Sequence, residues 1–274
     1  MATIIARIVA STRVLRPLRG RGSLSRVTAK RHRRKTIRPA PLALLLGAAL
    51  LASLYLAWRL LAAADFLYPL WYDVAEIGAH IDEFAPRNRY RDRFGDTDRA
   101  AREAAFAAIA RAIRDDARGL AALTYTDATG RSRTLLRPPE IVHLQDVARL
   151  VSTLERAGLI ACALVAGMLV WLRRRRISLP GFGRLLGWTG AGVAATALLV
   201  LVIGARKVFY QFHVWIFPDD HQWFFYYQES LMSTLMKAPV LFGYIAAVLV
   251  ALAVVLLAAL LALAGRVARP PPAA

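Results

Sequence analysis

The sequence of 274 residues contains one cysteine, Cys162. A single thiol excludes an intrachain disulfide and a cluster of thiolate metal ligands. Cys162 lies within a long apolar stretch, where a thiol stays protonated and behaves as a small hydrophobic side chain, so we expect no cysteine nucleophile. The sequence also lacks the Gly-x-Ser-x-Gly motif, so we expect no serine nucleophile of the kind that this motif presents.

Acidic residues are missing from two strongly basic parts of the chain. Residues 1–40 and the link 173–184 carry many Arg and Lys side chains but no Asp or Glu, and Arg266 and Arg269 follow the last apolar run. Positively charged segments tend to stay on the cytoplasmic side of a bacterial membrane. We therefore predict that these three segments, and with them both termini, are cytoplasmic.

Hydrophobic residues, 57% of the chain, are concentrated in four long runs. A helix needs about 20 residues to cross a hydrocarbon core of about 30 Å. Because backbone amides find no water in lipid, each run must be helical. The four predicted spans cover about residues 42–64, 152–172, 185–205 and 239–264.

The four spans predict an all-α membrane protein of the bacterial inner membrane, with a membrane domain over residues 41–265. A small α+β layer between spans one and two is expected outside, where the outer layer comprises residues 65–151 and 206–238. Residues 1–40 are predicted to be a disordered basic tail that meets anionic headgroups, and residues 266–274 a second tail. We expect no nucleic acid as a partner, because the basic tail lacks interleaved aromatic residues and a recognition motif.

The first outer segment is too long for a simple connector, and its pattern predicts secondary structure. Asp96 or Thr97 is expected to cap a helix that runs to about Arg118 and ends at Gly119. On this helix three apolar side chains recur at helical spacing, which is typical of packing: Phe106, Ile109 and Ile113.

A hairpin and a second helix are predicted to follow. Residues 123–126 and 133–136 flank the turn-forming sequence 127–130, a pattern that predicts two antiparallel strands. Pro138 and Pro139 suit the first turn of a helix, which we expect to lead into span two.

Four of the five histidines fall on the predicted outer side, and His143 has the first of two richer contexts. Glu140, His143 and Asp146 lie three residues apart and would share one face of the predicted helix. A carboxylate beside an imidazole fixes its tautomer and raises its basicity, which suits acid/base chemistry. The alternative interpretation is an ordinary polar helix face.

His213 has the second context, an aromatic segment that begins where span three ends. Arg206, Tyr210 and His213 would lie on one helix face, and Trp223 follows. This arrangement predicts a base and a cation close to the interface; the alternative is an interfacial aromatic belt ended by a Pro-Asp-Asp turn. Since spans two and three are antiparallel neighbours in this topology, His143 and His213 are expected to converge.

Zinc binding is the competing use of these imidazoles. His80 and His221, together with His143, His213 and nearby carboxylates, contain the right ligand types. No two of the histidines have the His-x3-His spacing, so we expect neither a metal nor another cofactor.

The two windows resemble the lipoprotein intramolecular transacylases, a family of bacterial integral membrane proteins that are largely uncharacterised. The first window matches the family's acid-x-x-His-x-x-Asp-Val stretch through Glu140, His143, Asp146 and Val147. The second resembles its Phe-His-x-x-Phe-type stretch, with the later Trp and Pro, through Phe212, His213, Phe217, Trp223 and Pro239. Together with the four-span layout, the resemblance extends over about residues 42–265.

The resemblance implies an enzyme that moves an acyl chain from the glyceryl moiety of a lipoprotein to the N-terminal amine. Its catalytic pair would be His143 and His213, and the partner a membrane lipid or lipoprotein. An enzyme nucleophile is not needed, because the substrate supplies the amine. We expect His213 to act as the base and His143, oriented by Asp146 or Glu140, to handle the ester oxygens, or the reverse; Arg206 would steady the oxyanion.

Two other functions remain open from the sequence. One is a non-catalytic integral membrane protein that acts as an envelope scaffold or binds a partner. The other, a transporter, is disfavoured because Glu155 and Arg156 are expected near the headgroups at the end of span two, and Arg59 is the only charged residue well inside a span boundary.

Overall fold

The computed structural model describes residues 36–268. The predicted basic tail, as far as residue 35, and the last six residues lie outside the described residues. The chain forms nine helices and two strands in this part: α1 Pro39–Ala63, α2 Tyr68–Val74, α3 Ile77–Phe84, α4 Arg99–Arg114, β1 Thr124–Thr126, β2 Ser132–Thr134, α5 Pro138–Arg175, α6 Phe182–Ile203, α7 Ala205–Ile216, α8 Leu231–Met236 and α9 Val240–Val267.

Four helices are long and apolar enough to cross a membrane, namely α1, α5, α6 and α9, with 25, 38, 22 and 28 residues. At 1.5 Å per residue each exceeds a hydrocarbon core of about 30 Å. Their number and approximate positions agree with the four predicted spans, and the small sheet of β1 and β2 lies between the first two. The protein is therefore mostly helical, and the length and composition of these four helices are those of membrane-associated segments.

The helix of span two is longer than its apolar run. The predicted helix after the prolines and the span itself form one unbroken helix, α5, from Pro138 to Arg175. Glu155 and Arg156, near the middle of α5, do not interrupt the helix, and the Glu155 carboxylate lies 3.4 Å from the Arg59 guanidinium of α1. The polar start of α5 and its apolar remainder therefore form one rigid rod.

The predicted α4 boundaries are wrong by a few residues. Asp98, rather than Asp96 or Thr97, caps the helix, since its carboxylate accepts a hydrogen bond from the Ala101 amide. The Thr97 hydroxyl instead donates to Phe94 O at 2.6 Å and closes the preceding turn. The helix ends at Arg114, because the chain then turns through residues 116 and 117 with positive φ, ahead of Gly119.

The predicted hairpin is present with Thr124 opposite Thr134 and Thr126 opposite Ser132. Asp127 organises its turn by accepting hydrogen bonds from the Thr129 and Arg131 amides. Gly130 has a φ of 80°, a conformation that glycine adopts without strain.

The bundle is held together where α1 packs against α5 and α9. Gly158 of α5 permits the closest approach, because a Cβ atom there would overlap the ring of Tyr55 in α1. The helix α6 contacts α9, and of its side chains only Leu185 is buried. In the bundle α6 therefore packs mainly against α9, whereas the sequence predicted spans two and three, here α5 and α6, as neighbours.

The segments 64–137 and 204–239 pack together at one end of this bundle and are called the cap below. Tyr68 is central to the cap: its ring stacks on Phe106 with centroids 4.0 Å apart, and its hydroxyl donates to Leu235 O at 2.7 Å. The opposite end is called the basic end. There the Ile37 amide donates to Ser178 O, so the chain is structured about five residues before the predicted span begins.

Candidate active site

The first turns of α5 carry Glu140, His143 and Asp146 on one buried face. Their exposed fractions are 0%, 8% and 7%. Two prolines start the helix, and the Glu140 carboxylate accepts the Arg137 amide at 2.6 Å, which fixes this end. The spacing of three residues therefore points all three side chains into the cap, as the sequence predicted.

His213 is positioned by α7, which starts where Gly204 breaks the third apolar helix with a φ of 95°. Its Nδ1 lies 2.7 Å from Phe209 O one turn earlier. Because a carbonyl oxygen only accepts, Nδ1 must carry the proton. In the neutral ring Nε2 then keeps its lone pair and is available as a base.

The two imidazoles lie together. The ring centroids of His143 and His213 are 6.4 Å apart and their planes are inclined by 28°. Phe217 packs against both rings, with centroid distances of 4.9 Å and 5.2 Å. One small group of a substrate can therefore contact both rings at once.

Both rings face a cavity of about 270 Å³ at the junction of cap and bundle. Its wall is apolar apart from the two histidines, Arg114 and Ser233. The remaining wall comes from six helices and three connecting segments: Trp58, Phe66, Phe106, Ala110, Ile113, Leu144, Val147, Leu150, Val151, Phe209, Phe212, Phe217, Trp223, Met232, Met236, Ala238 and Phe242. Such a wall suits an acyl chain.

Burial keeps both imidazoles neutral near pH 7. It lowers the pKa of His143 to about 4, with the neighbouring His213 acting in the same direction and Asp146 opposing. Burial also lowers the pKa of His213, against the opposing effect of its bond to the Phe209 carbonyl. Removal from water disfavours the charged form of each ring, so two unprotonated ring nitrogens are available in one apolar site.

The carboxylate of Glu140 binds partners other than His143, although its spacing on the helix suggested that imidazole. Its carboxylate accepts hydrogen bonds from the Ser230 hydroxyl and the Met232 amide as well as from Arg137. Burial raises its pKa, while these donors act against the shift. Glu140 thus ties α5 to the start of α8, and its oxygens are already used.

Asp146 also turns away from His143. Its carboxylate lies 2.6 Å from Nδ1 of His221 and 3.1 Å from Arg149. Within residues 36–268 His143 has no hydrogen-bond partner, so the expectation that Glu140 or Asp146 orients this ring is wrong. The imidazole that Asp146 orients is His221, for which the sequence suggested only the competing zinc site.

The three residues predicted to accompany His213 do not all line the cavity: these are Arg206, Tyr210 and Trp223. Trp223 lines the cavity with its ring centroid 4.9 Å from that of His213. Tyr210 packs behind it at 5.5 Å, and the exposed Arg206 stacks on Tyr210 at 5.6 Å. Of these three only Trp223 belongs to the wall in the described part of the chain, so Arg206 is poorly placed for an oxyanion.

His80 lies apart from this site, packed between Phe84 and Tyr227 at centroid distances of 4.7 Å and 4.4 Å. Burial lowers its pKa, and the nearby Lys237 acts in the same direction. Among the described residues no group of three or more His, Cys, Asp or Glu side chains could hold a metal ion. His80 and His221 therefore occupy environments separate from that of the facing pair His143 and His213.

Several wall residues were not predictable from the sequence. The helical spacing of Phe106 and Ile113 predicts packing, and both do pack in the wall, but Arg114 on the same helix also lines it. Trp58 near the end of α1 and Ser233 in α8 gave no signal in the sequence. A charged residue directly after an apolar helical stripe was the one available indication for Arg114.

Together the fold and the site define a membrane-associated helical protein with a paired-histidine site in an apolar cavity under its cap. Residues 126–238 match the family described as lipoprotein intramolecular transacylase Lit. This confirms the resemblance over a stretch that contains His143, His213 and Trp223. No curated protein and no solved structure matches the chain.

Proposed function

We propose that this protein is a membrane acyltransferase that moves an acyl chain from the glyceryl moiety of a lipoprotein to the lipoprotein's own N-terminal amine. The observation that carries the proposal is the pair of neutral imidazoles, 6.4 Å apart, in the wall of an apolar cavity. Both imidazoles lie within the segment that matches the transacylase family.

The substrate chemistry suits this cavity. The wall offers mainly aromatic and aliphatic side chains, so an acyl chain is kept from water in the cavity as it is in lipid. The α-amine of the same substrate is the only nucleophile that the reaction needs. The reaction forms an amide and cleaves a glyceryl ester within one molecule, so it needs no further reactant.

The bond changes assign a task to each imidazole. The amine nitrogen forms a bond to the ester carbonyl carbon, the bond from that carbon to the glyceryl oxygen breaks, and the amine proton ends on the released glyceryl hydroxyl. His213 is the better base, because its Nδ1 proton is held by Phe209 O and its Nε2 is left to accept the amine proton. Proton transfer of this kind contributes roughly 10²–10⁴-fold to a rate.

His143 completes the pair on the ester side. Its pKa of about 4 means that it is neutral and donates one N–H to an oxygen of the ester. A neutral donor in an apolar site stabilises the developing negative charge without first giving up its proton. Phe217, in contact with both rings, limits how far the two imidazoles can separate.

The geometry also supports an orientation in the inner membrane with the cap outside. The run of arginines at residues 173–176 ends α5 at the basic end, whereas the histidines lie at the cap end. By the positive-inside rule the basic end faces the cytoplasm. The site would then lie near the outer leaflet, where the acyl chains of an anchored lipoprotein are within reach.

The proposal is tested by mass spectrometry of lipoprotein N-termini from cells with and without this protein. We expect the N-acyl, lyso-glyceryl form only when the protein is present, and only the diacyl form with His143→Ala or His213→Ala at an equal membrane level. His80→Ala is the matched control and should behave as wild type. An unchanged lipoprotein pattern would contradict the proposal and favour a scaffold in the envelope.

A further inference from the structure

Besides the histidines and the Ser233 hydroxyl, the cavity wall contains two groups that only donate hydrogen bonds. Trp58 of α1 and Arg114 of α4 both line it. The Trp58 Nε1 atom is buried and has no hydrogen-bond partner among the described residues. A buried N–H without an acceptor is costly, about 1–3 kcal/mol, and such groups are uncommon in folded proteins.

Arg114 and Trp58 lie on the same side of the cavity. The Arg114 Nη1 donates to the Ala62 carbonyl near the end of α1. Ala62 follows Trp58 by four residues, so the two share one helix face and lie one turn apart. The carbonyl that binds the guanidinium therefore lies about one helical turn from the backbone of Trp58, and both side chains line the cavity.

Arg114 is half-buried and has no acidic partner among the described residues. Within residues 36–268 no carboxylate lies within ion-pair distance of its guanidinium, and the wall contains no Asp or Glu. One of its five N–H donors is bound to Ala62 O, which leaves others available. Guanidinium and indole are both donors only, so together they select a group that only accepts hydrogen bonds.

We infer that Trp58 and Arg114 form a binding subsite for an ester carbonyl of the substrate, namely the glyceryl ester whose acyl chain is not transferred. The inference rests on the proposed function for the identity of the ligand. An amine has no place at these two donors, because it would face a like charge. The substrate is thus oriented, with its amine and its reacting ester at the imidazoles and its second ester at Trp58 and Arg114.

The subsite lies outside the segment that matches the transacylase family, which covers residues 126–238. Trp58 and Arg114 come from α1 and α4, which precede that segment. The paired histidines therefore supply the acid/base chemistry, while a part of the chain outside the match supplies recognition of the lipid. This separation predicts that binding and turnover respond to different substitutions.

The test uses the full-length protein in detergent and two synthetic glyceryl-cysteine lipopeptides. One has esters at both chains; the other has an ether in place of the ester that is not transferred, and so lacks that carbonyl. Both are also made with an acetylated N-terminus, which prevents transfer and allows equilibrium binding to be measured. The variants are Trp58→Phe, Arg114→Leu and, as a control on the exposed face of the same helix, Arg111→Leu.

We expect wild type and Arg111→Leu to bind the acetylated diester about tenfold more tightly than the acetylated ether, the effect of one hydrogen bond to a charged donor. Trp58→Phe and Arg114→Leu should reduce this ratio towards one. Trp58→Phe removes an unpaired donor and keeps the ring, so its melting temperature should not fall. That variant keeps the test decisive even if Arg114→Leu loosens the contact with α1.

Equal wild-type affinity for the two acetylated lipopeptides would overturn the subsite. An equal loss of affinity for both in Trp58→Phe would overturn it too, because the residue would then only shape the cavity. Turnover of the unacetylated diester is measured in parallel. If the ester preference in binding is present and turnover is absent, the proposed reaction fails while the subsite stands.

Discussion

His221 and Asp146 are joined across the cap, with Nδ1 of the imidazole 2.6 Å from Oδ2 of the carboxylate. Asp146 lies one turn after His143 on α5, whereas His221 belongs to the segment between α7 and α8. The same segment carries Phe217 and Trp223, which both line the cavity. This pair therefore fastens one wall of the candidate site to the helix that carries its first imidazole.

Breaking the pair should loosen that wall. We expect Asp146→Asn and His221→Gln each to lower the free energy of unfolding by about 1–2 kcal/mol, since the carboxylate is buried while the imidazole is partly exposed. In the double variant the two losses should not add, because each change removes the same interaction. Thermal unfolding in detergent measures this, with Asp220→Asn as the control; fully additive losses would contradict the pairing.

Glu140 is expected to be structural. Glu140→Ala leaves the Ser230 hydroxyl and the Arg137 and Met232 amides without their acceptor in a buried place, which should cost about 2–4 kcal/mol of the free energy of unfolding. Glu140→Gln keeps one accepting oxygen and should cost less. Melting temperature and membrane level measure the effect, and Glu83→Ala on the surface is the control.

If Glu140 took part in the reaction instead, Glu140→Gln would abolish turnover while the melting temperature stayed close to wild type. We expect the reverse, a lower melting temperature with turnover retained per folded molecule.

The stability of the protein should depend on pH through His143. Its pKa is about 4 in the folded protein and about 6.5 when unfolded, so between these values the unfolded chain binds a proton that the folded protein does not. Stability is therefore full above about pH 6.5 and falls as the pH is lowered towards 4, by about 3 kcal/mol at most.

His80 and His213 also have lowered pKa values, so the difference between wild type and His143→Gln isolates the contribution of His143. Melting temperatures measured from pH 7.5 down to pH 5 should fall less steeply in the variant. Identical slopes would show that His143 is not buried as a neutral ring.

Gly158 should be required for the contact between α1 and α5. A methyl group there would overlap the Tyr55 ring, so Gly158→Ala is expected to cost about 1–3 kcal/mol of the free energy of unfolding despite the better helix propensity of alanine. Gly167 is the matched control on the same helix, because a Cβ atom there meets nothing within 4 Å. Gly167→Ala should be neutral or stabilising, and equal melting temperatures for the two variants would contradict the packing.

The parts of this structure that follow from local or topological rules were predictable. Four apolar runs define the long helices, and two prolines define the start of α5. The approach of His143 to His213 followed from two helix ends meeting at the same side. The two imidazoles lie close together although α6 packs on α9. The chain changes direction at Gly204, between α6 and α7, and α7 places His213 beside His143 of α5.

The partners of individual polar groups were not predictable. Asp146 is three residues from His143, and helical spacing alone favoured that pair, yet the carboxylate binds His221 from 75 residues away. Trp58 and Arg114 reach the same cavity only because α4 packs across the end of α1. Such contacts depend on how whole elements pack, which a local pattern does not contain.

The most direct test of the account is the rate at which purified protein converts a synthetic diacylglyceryl lipopeptide to its N-acyl form. If His143 and His213 perform the acid/base chemistry, His143→Gln and His213→Gln should each reduce this rate by about 10²-fold or more, whereas His80→Gln should not. All three variants are to be compared at matched folded concentration. A rate close to wild type in either His143→Gln or His213→Gln would contradict the central claim.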